Sequence, residues 1–212
     1  DGIGLILDKL EEKKITDNTI VIFFSDNGGV EWYNFSDNGV LRGIKGDFFE
    51  GGIRVPFTMQ WPKKIKPGIT YDKPIIALDV FATVASAASA EKYIKNDIDG
   101  VDLLPYLTGD KFGLPHEYLY WKNPDKDIDV VRDERYKYLR IKNDEYIFDL
   151  KNDISEETNI INSSKPIYNR LKSQFKEWEK GMIDPVFMDL GMGKEYNKLN
   201  PDRWYNDSNP KK

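Results

Sequence analysis

Asp26 and Asn27 are the first candidates for chemistry, because both follow closely on the apolar run of residues 19–24. In open α/β sheets, ligands bind just beyond the carboxyl ends of the strands. A carboxylate oxygen beside an amide oxygen suits a hard cation such as calcium or magnesium, and the glycine that follows lets the backbone turn sharply around it. Taken alone, the tetrapeptide Ser25-Asp26-Asn27-Gly28 favours an ordinary Asx turn over a metal site.

The same four residue types recur at residues 36–39. No buried strand is predicted before this second copy, so the argument from strand ends does not extend to it. We therefore interpret the second copy as a plain loop.

Lys45 is the next candidate, because it lies in a glycine-rich loop that leads into a predicted strand. Such a loop brings backbone amides and a lysine ammonium close to an anion. A lysine there would offset negative charge on a sulfate or phosphate ester and help to stabilise the departing oxygen. For Glu50 and Arg54 in the same loop we favour a structural role, as a buried ion pair that holds the loop in shape.

The elements that position these residues are predicted to be helices alternating with strands. An apolar face at Ile3, Ile6, Leu7 and Leu10 predicts an opening helix. No capping segment precedes it, so we expect the chain to begin inside a longer protein. Residues 19–24 form a continuous β-rich run, typical of a strand buried on both faces of a parallel sheet.

Further elements complete the predicted first unit and define a second one. Residues 55–61 predict another strand, and a helix starts near Pro74. From Glu117 onward, short β-rich segments separated by charged turns predict a small antiparallel sheet. A helix is predicted to follow, with Ser164 as N-cap, Gly181 as its stop, and Ile167, Leu171, Phe175 and Trp178 facing inward. The chain is expected to divide into two domains, residues 1–112 and residues 113–212. The final segment, from residue 182, is predicted to be irregular, with Arg203, Trp204 and Tyr205 in packing roles.

Composition excludes several functional classes. The 212 residues carry a formal charge of -5 with no basic stripe, so a nucleic acid is not an expected partner. No apolar run approaches the roughly 20 residues needed to span a bilayer. Because the chain has no cysteine, disulfides, thiolate zinc sites and a cysteine nucleophile are excluded within it.

An ordered series of short motifs resembles the formylglycine-dependent sulfatases of the alkaline-phosphatase superfamily, over roughly residues 1–180. Each motif is weak alone, and the order makes the series specific. In chain order the motifs are Asn18-Thr19, Ser25-Asp26-Asn27-Gly28-Gly29, Leu41-Arg42-Gly43-Ile44-Lys45-Gly46, Glu50-Gly51-Gly52-Ile53-Arg54-Val55-Pro56, Trp61-Pro62, Leu78-Asp79-Val80-Phe81-Ala82-Thr83, Asp99-Gly100-Val101-Asp102-Leu103-Leu104-Pro105, Val131-Arg132-Asp133, Tyr136-Lys137 and Phe148-Asp149-Leu150.

The resemblance implies a fold, a reaction and roles for three residues. The fold would be the remainder of an alkaline-phosphatase-like α/β sheet domain followed by a small α+β domain. Asp26 and Asn27 fall where the family supplies two calcium ligands, and Lys45 falls where the family's lysine contacts the sulfate. The reaction would be hydrolysis of the sulfate ester of a carbohydrate or aryl substrate, in a periplasmic or secreted protein.

Other parts of the family's site have no match in this chain. These are an acidic pair that completes the metal shell, two histidines, and a Cys/Ser-x-Pro-x-Arg segment whose first residue becomes formylglycine. In the family they belong to the N-terminal portion, which the resemblance makes the expected partner of this chain. The isolated chain is therefore expected to be inactive and mostly free of metal.

Two other functions stay open at the level of sequence. One is a phosphodiesterase or phosphonate hydrolase of the same superfamily, which the nucleophile segment would distinguish from a sulfatase. The other is a non-catalytic interaction module, which predicts a stable fold without a large exposed apolar face. His116, the only histidine, is interpreted as a surface or packing residue.

Overall fold

The computed structural model describes residues 1–30, 35–94 and 97–183. The predicted irregular segment lies almost entirely outside these residues, as do Arg203, Trp204 and Tyr205. The helices and strands are α1 (Gly2–Glu12), β1 (Val21–Phe24), α2 (Glu50–Ile53), β2 (Phe57–Gln60), α3 (Leu78–Ala87), α4 (Leu104–Thr108), β3 (Leu119–Asn123), β4 (Ile128–Arg132), β5 (Tyr136–Ile141), β6 (Asp144–Asp149) and α5 (Lys165–Glu179). Two short 3₁₀ helices lie at Thr16–Asn18 and Glu91–Tyr93. This order confirms the predicted α/β region followed by a small sheet with one helix.

Strand β1 pairs with β2, and the pairing is antiparallel, with Val21 opposite Gln60 and Phe24 opposite Phe57. The prediction of a parallel strand buried on both faces is wrong for the described residues, because Phe23 is 51% exposed. An apolar run of this length indicates burial in a complete sheet. It does not specify which neighbouring strands cover it.

Helix α3 is fixed at its start by the buried carboxylate of Asp79. Its Oδ2 accepts a hydrogen bond from the Ile76 amide at 2.9 Å, and its Oδ1 accepts one from the Val101 amide at 2.8 Å. The ring Nε2 of His116 lies 2.7 Å from the same Oδ1. His116 is mostly buried, so it is a packing residue, as the sequence suggested.

Strands β3 to β6 form one four-stranded sheet in that order. Strands β4 and β5 are antiparallel, with Ile128 opposite Ile141. Helix α5 packs on β4 and buries Leu171 and Phe175, two of the residues predicted to face inward.

Glu145 of β6 is the centre of a polar cluster between this sheet and α5. The hydroxyls of Tyr138 and Tyr168 donate to its two carboxylate oxygens at 2.6 and 2.7 Å, and Lys172 Nζ donates at 2.6 Å. Partial burial opposes the charge, but the bonds from Lys172, Tyr138 and Tyr168 outweigh it and lower the pKa of Glu145 to about 2.

Contacts group the chain into two compact units. Of the described residues, the first unit takes those within 1–119, 133–136 and 149–158, and the second takes those within 120–132, 137–148 and 159–183. Two short segments from the second half of the chain thus belong to the first unit. The division at residues 112 and 113 stays a prediction about folding domains.

Apolar side chains are exposed on three elements of the first unit. Helix α1 has no buried residue, and Leu5 and Ile6 on it are 69% and 61% exposed. Phe23 of β1 and Phe81 of α3 are also exposed. Exposed apolar side chains of this kind are a feature of interaction surfaces. Across the described ranges, no helix is both long and apolar enough to cross a membrane.

Candidate active site

The loop after β1 carries Asp26 and Asn27. The Ser25 amide donates to the Pro56 carbonyl at 3.2 Å, which carries the β1–β2 pairing to the first residue of the loop. The Ser25 hydroxyl then donates to the Asn27 carbonyl at 2.8 Å, and Asn27 Nδ2 donates to the Gly28 carbonyl at 2.9 Å. These bonds hold the loop in a compact turn directly beyond the strand, where the sequence predicted it.

Gly28 and Gly29 bring this loop against the segment that begins at α2. The Gly28 amide donates to the Gly52 carbonyl at 3.0 Å. A Cβ atom added at Gly28 would lie 1.7 Å from the Gly51 carbonyl oxygen, closer than any side chain tolerates. The close approach of the two backbones therefore requires glycine at residue 28.

Lys45 lies in a turn that is stabilised by its own backbone and by Asp47. The Ile44 amide donates to Asp47 Oδ2 at 3.0 Å, and the Asp47 amide donates back to the Ile44 carbonyl at 2.9 Å. Gly43 and Gly46, on either side of Lys45, have φ angles of 89° and 91°, which glycine adopts without strain. The Lys45 side chain is exposed at this turn.

The two candidate loops meet through the backbone. The Lys45 amide lies 3.4 Å from the Gly29 carbonyl oxygen, to which it donates. Lys45 is thus brought next to the loop that carries Asp26 and Asn27, as a shared anion and metal site requires. Their roles as ligands and as a sulfate contact stay predictions.

Asn38, in the second copy of the tetrapeptide, joins the two loops with its side chain. Its Oδ1 accepts from the Gly29 amide at 2.9 Å, and its Nδ2 donates to the carbonyls of Gly29 and Gly43 at 3.1 and 3.0 Å. The segment is a loop, as predicted, and Asp37 makes an Asx turn to Gly39. The bridging role of Asn38 was not predicted, since an Asn-Gly pair gives no sign of what its side chain will contact.

The predicted ion pair of Glu50 and Arg54 is only partly present. Glu50 is fully buried, whereas the Arg54 side chain is 57% exposed, and their charged atoms are 4.0 Å apart. The prediction of a buried pair is therefore wrong for Arg54. Helix α2 buries Glu50, Gly51 and Gly52, whereas Arg54 follows its last residue and is exposed.

The side-chain oxygens of Asp26 and Asn27 suit calcium, but two ligands are fewer than calcium requires. Asp26 is exposed and makes no side-chain hydrogen bond or ion pair within the described residues, so its carboxylate is available. The side-chain nitrogen of Asn27 donates to the Gly28 carbonyl, which leaves the side-chain Oδ1 available as a metal ligand. Across residues 1–30, 35–94 and 97–183, no group of three acidic or histidine side chains comes together. Calcium takes six to eight oxygens, so other ligands are required.

Comparison with known proteins assigns the family. The family model described as Sulfatase matches residues 1–90. Over 126 residues the chain is 41% identical to mouse steryl-sulfatase, covering 56% of this chain and 20% of that protein. Over 152 residues it is 38% identical to the uncharacterised sulfatase YdeN of Escherichia coli K12, covering 68% of this chain and 27% of that protein. The chain belongs to the sulfatase family.

A solved sulfatase-like structure extends this match along the chain. The structure of Ps i-CgsB in complex with k-i-k-neocarrahexaose superposes with a TM-score of 0.78 at 25% identity, covering 96% of this chain and 46% of that one. The sulfatase chain thus spans about a fifth to a quarter of the curated relatives and under half of this structure. Its alkaline-phosphatase-like fold is confirmed.

Proposed function

We propose that this chain forms one side of the active site of a sulfuric ester hydrolase. The observation that carries the proposal is the contact between the Lys45 amide and the Gly29 carbonyl. It brings a cation on a glycine-rich turn next to a loop with two oxygen donors. A sulfate ester needs both kinds of group, because its oxygens carry negative charge throughout the reaction.

Asp26 and Asn27 are proposed to hold calcium through their side-chain oxygens. When bound, calcium would act as a Lewis acid on the sulfate oxygens. The Asn27 amide is held by its bond to the Gly28 carbonyl, so the oxygen is oriented before an ion arrives. The remaining oxygen ligands are proposed to come from outside this chain, in the full-length protein.

Lys45 is proposed to contact the sulfate. Its ammonium would offset the charge that develops on the departing ester oxygen, which raises the rate more than it raises substrate affinity. The bonds of Ile44 and Asp47 fix the turn, so the backbone that carries Lys45 needs little ordering when substrate binds.

The nucleophile, a formylglycine, is proposed to lie in an N-terminal portion of the full-length protein. Support comes from the exposed apolar side chains of α1 and β1, such as Leu5 and Phe23, which are surfaces for such a portion to cover. An interaction module that folds alone would bury them. The isolated chain is accordingly proposed to be inactive and mostly metal-free, and calcium-dependent turnover of a sulfate ester by the chain alone would contradict this.

The substrate is proposed to be the sulfate ester of a carbohydrate or of an aryl alcohol. The steryl-sulfatase name supports a sulfated substrate, and the likeness to both a steryl-sulfatase and a protein solved with k-i-k-neocarrahexaose leaves its alcohol part open. A periplasmic or secreted location is proposed on the family resemblance.

The decisive experiment measures hydrolysis of an aryl sulfate and of the matching aryl phosphate. The full-length protein is coexpressed with a formylglycine-generating enzyme, with and without Lys45→Ala. We expect a preference for the sulfate and a loss of about 100-fold or more in kcat for the variant, because a charge aimed at the transition state is removed.

Lys66→Ala is the matched control, because Lys66 is an exposed lysine on the segment that follows β2. It should leave kcat unchanged. Preference for the phosphate would instead assign the protein to the phosphodiesterase and phosphonate hydrolase branch. Equal activity of the Lys45 and Lys66 variants would remove Lys45 from the site.

A further inference from the structure

Glu156 is a fully buried glutamate that the proposed chemistry does not use. It lies on the segment of residues 149–158, more than 100 residues along the chain from the Lys45 turn and within the same compact unit. A glutamate is rarely buried completely unless its carboxylate has specific partners.

Glu156 contacts the Lys45 loop on both sides of Lys45. Its backbone carbonyl accepts a hydrogen bond from Arg42 Nη1 at 2.8 Å. Its side-chain Oε2 accepts one from the backbone amide of Glu50 at 2.6 Å. One residue therefore holds the loop before and after the lysine that is proposed to contact the sulfate.

The loop is closed at its base between the same two anchoring points. The Gly51 amide donates to the Arg42 carbonyl at 2.6 Å, and the Arg42 guanidinium lies 4.0 Å from the centre of the Phe49 ring. A loop with several glycines loses more backbone freedom on ordering than other loops, so contacts of this kind determine whether it holds one shape.

The backbone of Glu156 is itself unusual. Its φ angle is 55°, in the left-handed region that residues other than glycine seldom adopt. Such a conformation persists where the surrounding structure requires it, and it is found most often at functional sites. Here it is the conformation in which both the carbonyl and the carboxylate of one residue reach the loop.

We propose that Glu156 is a positioning residue for Lys45. By holding Arg42 and the Glu50 amide, it fixes the loop in the shape that places the lysine ammonium on the sulfate. The proposal rests on the proposed role of Lys45. It assigns to the segment of residues 149–158 a function in the reaction.

The test is a double-mutant cycle in the full-length protein with an aryl sulfate. Glu156→Ala should lower kcat by up to about 100-fold with KM little changed, since displacing a catalytic group by about 1 Å has that effect. In the Lys45→Ala background, Glu156→Ala should lower kcat little further, because there is no ammonium left to position. Glu156→Gln should recover most of kcat, because its amide oxygen still accepts from the Glu50 amide.

Glu157→Gln is the matched control, because Glu157 is the exposed neighbour of Glu156. It should match the wild type. The proposal is overturned if Glu156→Ala costs the same in both backgrounds, or if kcat of the folded variant is unchanged. If Glu156→Ala does not fold, Glu156→Asp replaces it in the cycle, because a shorter side chain holds the carboxylate farther from the Glu50 amide.

Hydrogen exchange separates this proposal from the assignment of sulfatase activity. The Glu50 amide should exchange slowly in the wild type and in Glu157→Gln, and faster in Glu156→Ala or Glu156→Asp. Rapid exchange in the wild type would refute the anchoring contact. A wild type that exchanges slowly but hydrolyses no sulfate ester would sink the proposed function, and with it the role in catalysis, while confirming the anchor.

Discussion

At the scale of single residues, Asn38 joins the loop of Asp26 and Asn27 to the turn that carries Lys45. Within the described part of the chain, its side chain makes three hydrogen bonds, all to backbone atoms of Gly29 and Gly43. Backbone groups of this kind are hard to satisfy in any other way, because the loop has no ladder of its own. The geometry of the site thus depends on one amide that carries no charge and takes no part in chemistry.

Replacing Asn38 with alanine should therefore loosen the site as well as the fold. The Gly29 amide and the Gly43 carbonyl would lose their partner, which costs about 1–3 kcal/mol of unfolding free energy. Urea unfolding measures the loss, and kcat of the full-length protein should fall with it. Asn143→Ala, at an exposed asparagine, is the control and should have neither effect. Unchanged stability in Asn38→Ala would mean that water satisfies the two groups.

Gly28→Ala should be more damaging than its size suggests. The added methyl would lie 1.7 Å from the Gly51 carbonyl, a backbone atom that cannot rotate away. Forcing the two backbones apart should cost about 3 kcal/mol or more of unfolding free energy. At Gly4 in α1 an added Cβ meets nothing within 4 Å, so Gly4→Ala should instead stabilise by roughly 0.5–1 kcal/mol. Urea midpoints of the two variants that shift in the same direction would contradict this argument.

At the scale of elements, the sheet of β3 to β6 and helix α5 meet around Glu145. Its folded pKa of about 2 lies below the reference value of 4.5, so the charged carboxylate stabilises the fold. This contribution is complete above the reference pKa and is lost as the pH falls toward 2. Partial burial and the bond to Glu145 raise the pKa of Tyr138, which therefore remains a hydrogen-bond donor at neutral pH.

Glu145→Gln should accordingly have a lower unfolding free energy than the wild type at pH 6. The difference in unfolding free energy between the two proteins should shrink between about pH 4.5 and pH 2. The physical reason is that acid protonates the wild-type carboxylate and makes it resemble the amide. Urea unfolding of both proteins across this range provides the measurement. A difference in unfolding free energy that stays constant from pH 6 to pH 2 would mean that the charge of Glu145 does not matter.

Helices and strands with a clear local sequence pattern were predicted well, whereas the segments that pair with them were not. Helix α5 was predicted from the helical spacing of residues such as Leu171 and Phe175, because apolar residues on one face of a helix recur about once per turn. Residues 19–24 contain β1, yet its antiparallel pairing depends on β2 more than 30 residues away. Glu156 escaped prediction for the same reason, since its carboxylate bonds a residue 106 positions away in the sequence. The contacts of Asn38 are closer in sequence, but its residue type gives no sign of which backbone groups it will bond.

At the scale of the whole molecule, the first unit combines a polar site with exposed apolar elements. Leu5 of α1, Phe23 of β1 and Phe81 of α3 are exposed, although the carboxylates of Glu50, Asp79 and Glu156 are buried. A domain that folds alone is expected to bury its large apolar side chains and to expose its carboxylates. This distribution is typical of a surface that binds another polypeptide.

The contact of His116 with Asp79 has a consequence for what a substitution of this histidine would change. The chain has one histidine, and its ring Nε2 lies 2.7 Å from the Oδ1 of the buried Asp79. The same carboxylate accepts the amides of Ile76 and Val101 and so fixes the start of α3. Replacing His116 would therefore act on the start of this helix, because it removes one partner of a fully buried carboxylate.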